Sequence, residues 1–429
     1  MNGFYFEEPV YNTNFTVFLP PSFAYAFYPF DSNVLDLYCL RDGTVDPKLI
    51  SYTVGYVAYG RAIVFNSTTP TEVSVDKTFN FSQKSYTLEA FVYLFSPTVN
   101  GSLMRFSSGV SITIEEAHVR FYVSERYLIQ SYSPITINEW HHIAAVYSDS
   151  SQYATLSIDG DITGSLAYLV PSEDTHENAT LKIGTNFEGR IDQLAISTEV
   201  KSVEQILWDA TVEAYYPFEG SGTNALLDYG PNVQNATSGG TRGAIGYKEN
   251  GLMFNISGAF FETPQLTSLN HVNHSFSIAF WIYLDSDQGV ILTISNSLGC
   301  LLIIGIEPVE QRLVVYLPDR YNNSEGVNIK GSPTSLNQWI HVAFTWSLNN
   351  QVQLYKDAAL DARRTSAFEI NQGQGDAMKV TVGLLRGTQQ CQTGPDLNID
   401  EQFIGVFDEF YVFSREIQQY EIETLHERS

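Results

Sequence analysis

Alternation with a period of two runs through most of the chain. In "YTLEAFVYL" (86–94) and "FSIAFWIYL" (276–284) one face is aliphatic or aromatic, and both runs end in Gly-, Asn-, Asp- or Ser-rich sequence. That pattern predicts half-buried strands rather than helices. Asp-Gly in "SIDGDI" (157–162) lies between two strand-like runs and predicts a tight hairpin. The apolar stretch "GVILTISNSLGCLLIIGI" is interrupted by Ser-Asn-Ser and reads as two strands, not as a membrane span. Helical periodicity appears at two places. In "SVEQILWDA", Ser202 and Gln205 form a capping box and Val203, Ile206 and Leu207 an apolar stripe. In "REIQQYEIETLHE", Gln418 stands where the Ser was, so a weaker cap is expected.

The elements occur twice in the same order. "FYPFDS" (27–32) answers "YYPFEG" (215–220), "GRAIVFNST" (60–68) answers "NGLMFNIS" (250–257), and the two nine-residue strands above answer each other. "NEWHHIAAVYS" (138–148) then answers "NQWIHVAFTWS" (337–347), and "FEGRIDQLAIS" (187–197) answers "FIGVFDEFYVF" (403–413). The spacing between partners widens along the chain, so the second copy carries additional loop residues. The chain reads as an extended N-terminal segment, 1–22, followed by repeats at 23–208 and 209–429. Many short antiparallel strands per repeat, closed by one helix, define the expected fold class: all-β, two tandem antiparallel β-sandwiches (jelly rolls), each closed by a short C-terminal helix. Little linker separates the first helix from "EAYYPFEG", so the sandwiches are expected to be closely coupled.

Trp140 and Trp339, and likewise His142 and His341, occupy equivalent places at the entry of a strand. A catalytic His needs a nucleophile or acid held beside it, and no such partner recurs. These residues are therefore expected to be architecture, the Trp packed at the sandwich edge and the His satisfied by backbone.

Composition narrows the function classes. Of 429 residues, 44% are hydrophobic and only 17% charged, the profile of a folded chain. A formal net charge of −25 argues against nucleic acid and against anionic membranes, both of which call for basic patches. The opening "MNGFYFEEPVYNTNF" has no basic or apolar leader region, which is compatible with cytosol or with a processed secreted chain. Nine Asn-X-Ser/Thr triplets favour the second: Asn14, Asn66, Asn80, Asn100, Asn178, Asn235, Asn255, Asn273 and Asn322. Three Cys cannot build a disulfide framework of the small secreted kind.

Taken together, "YYPFEGSGTNALLDYGPN", "GLMFN", "FSIAFWIYL", "NQWIHVAFTW" and "FIGVFDEFYVF" plus a helix resemble laminin-G-like domains of the concanavalin A-like superfamily. The resemblance covers nearly all of the chain beyond residue 22. It implies a two-sheet jelly roll used for adhesion or for glycan or protein binding, often with calcium at the rim. Related hydrolases place closely spaced Glu and Asp on one strand, and neither repeat holds Glu-x-Asp-x-Glu. "EEA" (115–117) has the wrong spacing and no counterpart, so the chain is expected not to be an enzyme. Relatives of the fold place calcium between terminal strands, which points to Asp31 with Asp192 in the first repeat and Glu219 with Asp408 in the second. Asp228 and Asn232 would add ligands in the second repeat, whereas Ser32-Asn33 departs from the pattern in the first. The competing reading has Asp192 and Asp408 capping backbone donors at a strand bend.

The second repeat also inserts "LLRGTQQCQTGPDLNIDEQ" between Gly383 and Phe403, where the first passes from Gly184 to Phe187. In an oxidising compartment Cys391 would pair with Cys300 and tether this loop; the alternative is two separate, partly buried thiols. Cys39 would be left over, either buried or open to intermolecular bonding. The expected function is an extracellular, non-catalytic binding or adhesion protein for a glycan or extracellular protein ligand, with no nucleic-acid partner and no membrane insertion. The alternative is a structural subunit of a coat or filament, self-associating when the aromatic-rich segment 1–22 pairs with an exposed sheet edge of a neighbour; in the favoured arrangement that segment instead adds a strand to its own domain.

Overall fold

The computed structural model describes residues 24–56, 60–66, 71–124, 126–167, 169, 178–232, 234–318, 326–366, 370, 372–373, 376–383, 391, 397 and 401–428. The segment 1–22, Asn14, Asn322 and most of the insertion after Gly383 lie outside them.

Each repeat forms two antiparallel sheets facing each other. In the first, Tyr86–Leu94 sits between Trp140–Ser148 and Gly189–Ser197 at the centre of an eight-stranded sheet; a six-stranded sheet lies opposite. In the second, Phe276–Leu284 sits between Trp339–Ser347 and Gly405–Phe413 in an eight-stranded sheet, facing one of seven strands. Alternate residues of both sheets meet in a separate core per sandwich, filled by rings such as Phe65, Phe79, Phe106 and Phe121 in one and Phe218, Phe254, Phe407 and Trp346 in the other. Burial of such rings away from water is the main stabilising term, about 2–3 kcal/mol each.

The first and last long strands of each repeat are neighbours: Ala24–Tyr28 pairs with Gly189–Ser197, and Val212–Tyr216 with Gly405–Phe413. A buried aspartate pins the chain after each first strand. Asp36 accepts from the backbone N–H of Phe27, Tyr38, Leu40 and Arg41. Asp228 accepts from those of Tyr215, Gly230 and Gln234. The Leu-Asp of "NVLDL" and "ALLDY" is the shared signal.

The Asp159-Gly160 hairpin forms, with both residues at positive φ as the tight turn requires. Helix α1 (Val203–Thr211) carries the full capping box between Ser202 and Gln205. Of the expected stripe only Ile206 is buried, against Ala144 and Val146, while Val203 is exposed. The helix is nine residues long and meets the outer face of the sheet along a narrow line. Helix α2 (Gln419–Arg428) keeps half a capping box, since Glu421 reaches back to the N–H of Gln418. It covers the outer face of the second sandwich through Ile422 and Leu425 against Ala279 and Ala343.

Helix α1 runs directly into the strand Val212–Tyr216. Trp208 packs edge-on against Tyr215, Tyr411 and Phe413 of the second sandwich. Arg415 donates to the Thr211 hydroxyl at 2.9 Å, and the Thr267 hydroxyl donates to the carbonyl of Tyr56 at 2.9 Å. The two sandwiches therefore share a packed, hydrogen-bonded seam.

Candidate functional site

The outer face of the six-stranded sheet carries a groove of about 570 Å³. Strand register places its side chains in rows. Lys182 lies directly opposite Arg105, Arg105 opposite Ser111, and Ser111 opposite Tyr122. The next row pairs Thr113 with Arg120 and Arg120 with Gln130. Their sequence neighbours Leu181, Ile183, Met104, Phe106, Ile112 and Phe121 point the other way and are fully in the core, which is how alternation delivers one polar face. Lys182 is ion-paired with Glu72 and Arg120 with Glu115, and the Thr185 hydroxyl donates to the other oxygen of Glu72 at 2.8 Å. Thr113 Oγ1 is buried with no hydrogen-bond partner.

The same face of the second sandwich is closed. By register, Thr381, Thr293, Ile303 and Tyr316 replace Lys182, Arg105, Ser111 and Tyr122, while Gly305 and Val314 replace Thr113 and Arg120. Val290, Ile303, Val314 and Tyr316 form an apolar cluster with Cys300, Cys391 and Leu397. Cys391 is bonded to Cys300, Cα to Cα 5.1 Å, across 91 residues of chain. A Cβ on Gly305 would come within 2.9 Å of Leu397, so this position must stay small for the plug to seat.

None of the groove residues except Glu115 was singled out above. The signal was present in the unequal copies: "LMRFSSGVSITIEEAHVRFYV" alternates polar and apolar, whereas "ILTISNSLGCLLIIGI" is apolar on both faces.

The rim carboxylates are engaged by backbone. Asp192 accepts from the N–H of Tyr56 at 2.8 Å and of Gln193 at 2.9 Å, at a bulge where Gln193 has φ 47°. Asp31 accepts from Arg61 N–H at 2.7 Å. Asp408 accepts from Lys248 and Glu409 N–H at the equivalent bulge, whereas Glu219 accepts from a side chain, Nδ2 of Asn250. Burial raises the Asp192 carboxyl well above its ordinary range and pushes Asp408 up to about 8. Asp228 holds three backbone donors, and Asn232 donates to the carbonyls of Val212 and Glu213, so both are spent on the chain turn. Calcium takes six to eight oxygens. Among the described residues no three His, Cys, Asp or Glu side chains converge on a metal position.

His142 and His341 are buried, and their backbone N–H groups donate to Asp159 and Asp357 of the following hairpins. The rings are not satisfied by backbone as expected: Nδ1 of each has no partner, and His142 Nε2 faces Glu89 at 3.6 Å. The reason is that Tyr56, Phe91 and helix α1 cover this face, with Lys201 ion-paired to Glu89 and Asp209. Burial holds both imidazoles down at about 3. At the seam, Glu213 accepts from the Tyr56 hydroxyl at 3.0 Å, and burial pushes its carboxyl up to about 7. A cleft of about 290 Å³ runs along this seam between Trp140, His141, His271 and His274.

Cys39 is exposed and free. Among the described sequons, Asn66, Asn100, Asn178, Asn255 and Asn273 are exposed and Asn80 and Asn235 half-buried.

The residues 67–207 and 257–423 match the laminin G-like family described as the concanavalin A-like lectin/glucanases superfamily, and the chain belongs to that family. The two matched stretches correspond to the two sandwiches, whose faces differ as described. No curated protein matches the chain by sequence. Solved structures similar to it include the binding domain of botulinum neurotoxin serotype G, at 14% identity over 50% of each chain with a TM-score of 0.38. Another is botulinum neurotoxin type C, described as entering cells through two ganglioside molecules, at 18% identity over 51% of this chain and 52% of that one, TM-score 0.38. A third is domain 4 of AbnA, a GH43 extracellular arabinanase from Geobacillus stearothermophilus in complex with arabinotriose, at 16% identity over 50% of this chain and 98% of that one, TM-score 0.34. The chain spans about half the length of the neurotoxin structures.

Proposed function

We propose that the chain is an extracellular, non-catalytic saccharide-binding protein whose ligand lies across the outer face of the six-stranded sheet in the first sandwich. The observation that carries this reading is the contrast between two faces of common origin. One is an open polar groove with a half-buried tyrosine; the other is an apolar face on which Cys391, bonded to Cys300, and Leu397 are packed. A polar row flanked by an aromatic ring suits a sugar, whose hydroxyls need fixed donors and acceptors and whose apolar face stacks on a ring.

What supports a non-catalytic role is the lining, which holds one carboxylate, Glu115, already ion-paired with Arg120. Glycoside hydrolysis calls for two carboxyl groups free to act across the scissile bond. The Cys300–Cys391 bond and the accessible sequons support an oxidising, extracellular setting. The polymerising alternative rests on residues 1–22, outside the described chain.

The test is a glycan array probed with the full chain, its N-glycans trimmed because Asn100 and Asn178 flank the groove. Saccharide binding lost in Tyr122→Ala and kept in Tyr229→Ala, an exposed tyrosine of the second sandwich, is the expected outcome. Binding to no saccharide, or binding indifferent to Tyr122, would overturn the reading.

A further inference from the structure

We infer that the groove of the first sandwich selects saccharides bearing a single anionic group, a carboxylate or a sulfate, held at Arg105 beside Lys182. The inference rests on the saccharide-binding reading above and goes further by fixing the charge class of the sugar.

Cross-strand register sets two cations side by side. Lys182 lies directly opposite Arg105 on neighbouring strands, and both side chains line the groove. Like charges directly opposite each other on one face of a sheet are destabilising. This chain has only 23 Lys and Arg against 48 Asp and Glu, so cations meeting by accident of composition is the less common event. Lys182 is neutralised by Glu72 on its far side, and Arg120 by Glu115. Arg105 is exposed, and no carboxylate among the described residues pairs with its guanidinium. The three cations and two carboxylates around the groove thus leave one positive charge, located on Arg105.

A guanidinium presents a planar fork of donors that grips a carboxylate or sulfate through two parallel hydrogen bonds. An acid group seated there would also relieve the repulsion between Arg105 and Lys182. From that point the row continues with the Ser111 hydroxyl and the Tyr122 ring, one strand spacing apart each. The row spans roughly 14 Å in all, enough for a short oligosaccharide. Thr113 Oγ1, buried and unpartnered beside the row, is a further hydrogen-bonding group for a sugar hydroxyl. The rest of the molecule sets the upper limit on charge. A net charge of −25 repels densely charged polyanions, so the favoured ligand carries one acid group on an otherwise neutral sugar.

The test is a titration of the full, glycan-trimmed protein with matched pairs: an aldotriouronic acid, which carries one carboxylate, against its methyl ester, and 6-sulfated lactose against lactose. The inference expects the acidic member of at least one pair to bind ten-fold or more tighter than its neutral match, with the advantage shrinking as salt is raised. Arg105→Gln is expected to abolish that advantage while leaving the melting temperature unchanged, because the side chain is exposed. Arg105→Lys should restore part of it. Preference within the carboxylate pair or the sulfate pair tells the two acid groups apart. Equal binding of acidic and neutral members, lost in Tyr122→Ala, would overturn this inference and leave the saccharide-binding reading standing. An acidic advantage that survives Arg105→Gln would overturn it as well. No binding of any saccharide, here and on the array, removes both.

Discussion

Breaking the Cys300–Cys391 bond should selectively weaken the second sandwich. The bond closes a loop of 91 residues, from the start of the strand Cys300–Glu307 to Cys391 in the insertion. Chain-entropy arithmetic for a loop of that length gives about 4.6 kcal/mol of stabilisation through the unfolded state. For a domain near 200 residues this corresponds to a melting shift of roughly 10–15 °C. Reduction also frees Cys391 and Leu397 from their seat on Val290, Ile303, Val314 and Tyr316, adding a packing loss in the same direction. Differential scanning calorimetry with and without reductant reads the shift, and Cys300→Ala with Cys391→Ala reproduces it without reductant. Saccharide binding at the first sandwich should persist, because the groove shares no residue with the plug. The reasoning is refuted if thiol titration shows both cysteines reduced while no transition has moved by more than about 2 °C.

Three further outcomes follow from the same geometry. Stability should vary with pH through the buried histidines on the acid side and the buried carboxyls on the alkaline side. His142 and His341, held at about 3 in the fold against 6.5 ordinarily, keep their contribution above pH 6.5 and lose it as the pH falls toward 3. Glu213, pushed from 4.5 to about 7, contributes fully below pH 4.5 and loses its share as the pH rises through 7. Glu213→Gln should therefore flatten the alkaline limb, by on the order of 3 kcal/mol, and leave the acid limb unchanged, as read by melting temperature against pH. Trp208→Ala should cost about 3 kcal/mol, the low end for a Trp because the ring is half-buried, and split a joint thermal transition into two, since its ring bridges the sandwiches; an unaltered single transition would show that the hydrogen bonds at the seam suffice alone. Calcium added to metal-stripped protein should leave the melting temperature where it was, because the oxygens of Asp192 and Asp408 already accept backbone N–H groups; a saturable rise abolished by Asp192→Asn would instead establish a rim site.

Much of this protein was legible from its residues alone because the controlling signals are local. A period of two in "YTLEAFVYL" and "FSIAFWIYL" dictates strands, Asp159-Gly160 dictates a turn, and Ser202 with Gln205 dictates where α1 starts. Repetition of those signals in one order revealed the tandem sandwiches, since a repeated pattern must repeat its core. What alternation cannot state is which outward face will be covered. The outer side of Tyr86–Leu94 carries Glu89, which reads as a solvated position, yet α1, Tyr56 and Lys201 bury it beside His142. The seam with Glu213 needed both sandwiches in place, as its partners lie 157 residues apart in the chain.

The groove sits at that same boundary between local and tertiary information. Sequence determined that Arg105, Ser111, Thr113 and Tyr122 point away from the core, because each lies between buried apolar neighbours. It did not determine that Lys182 stands opposite Arg105, since cross-strand register between segments some eighty residues apart is decided by the packing of the whole sheet. Nor did it determine that one face would remain open while its counterpart closed under Cys391 and Leu397. That asymmetry depends on where a surface loop comes to rest, and a loop's resting place is set by the shape of the face that receives it.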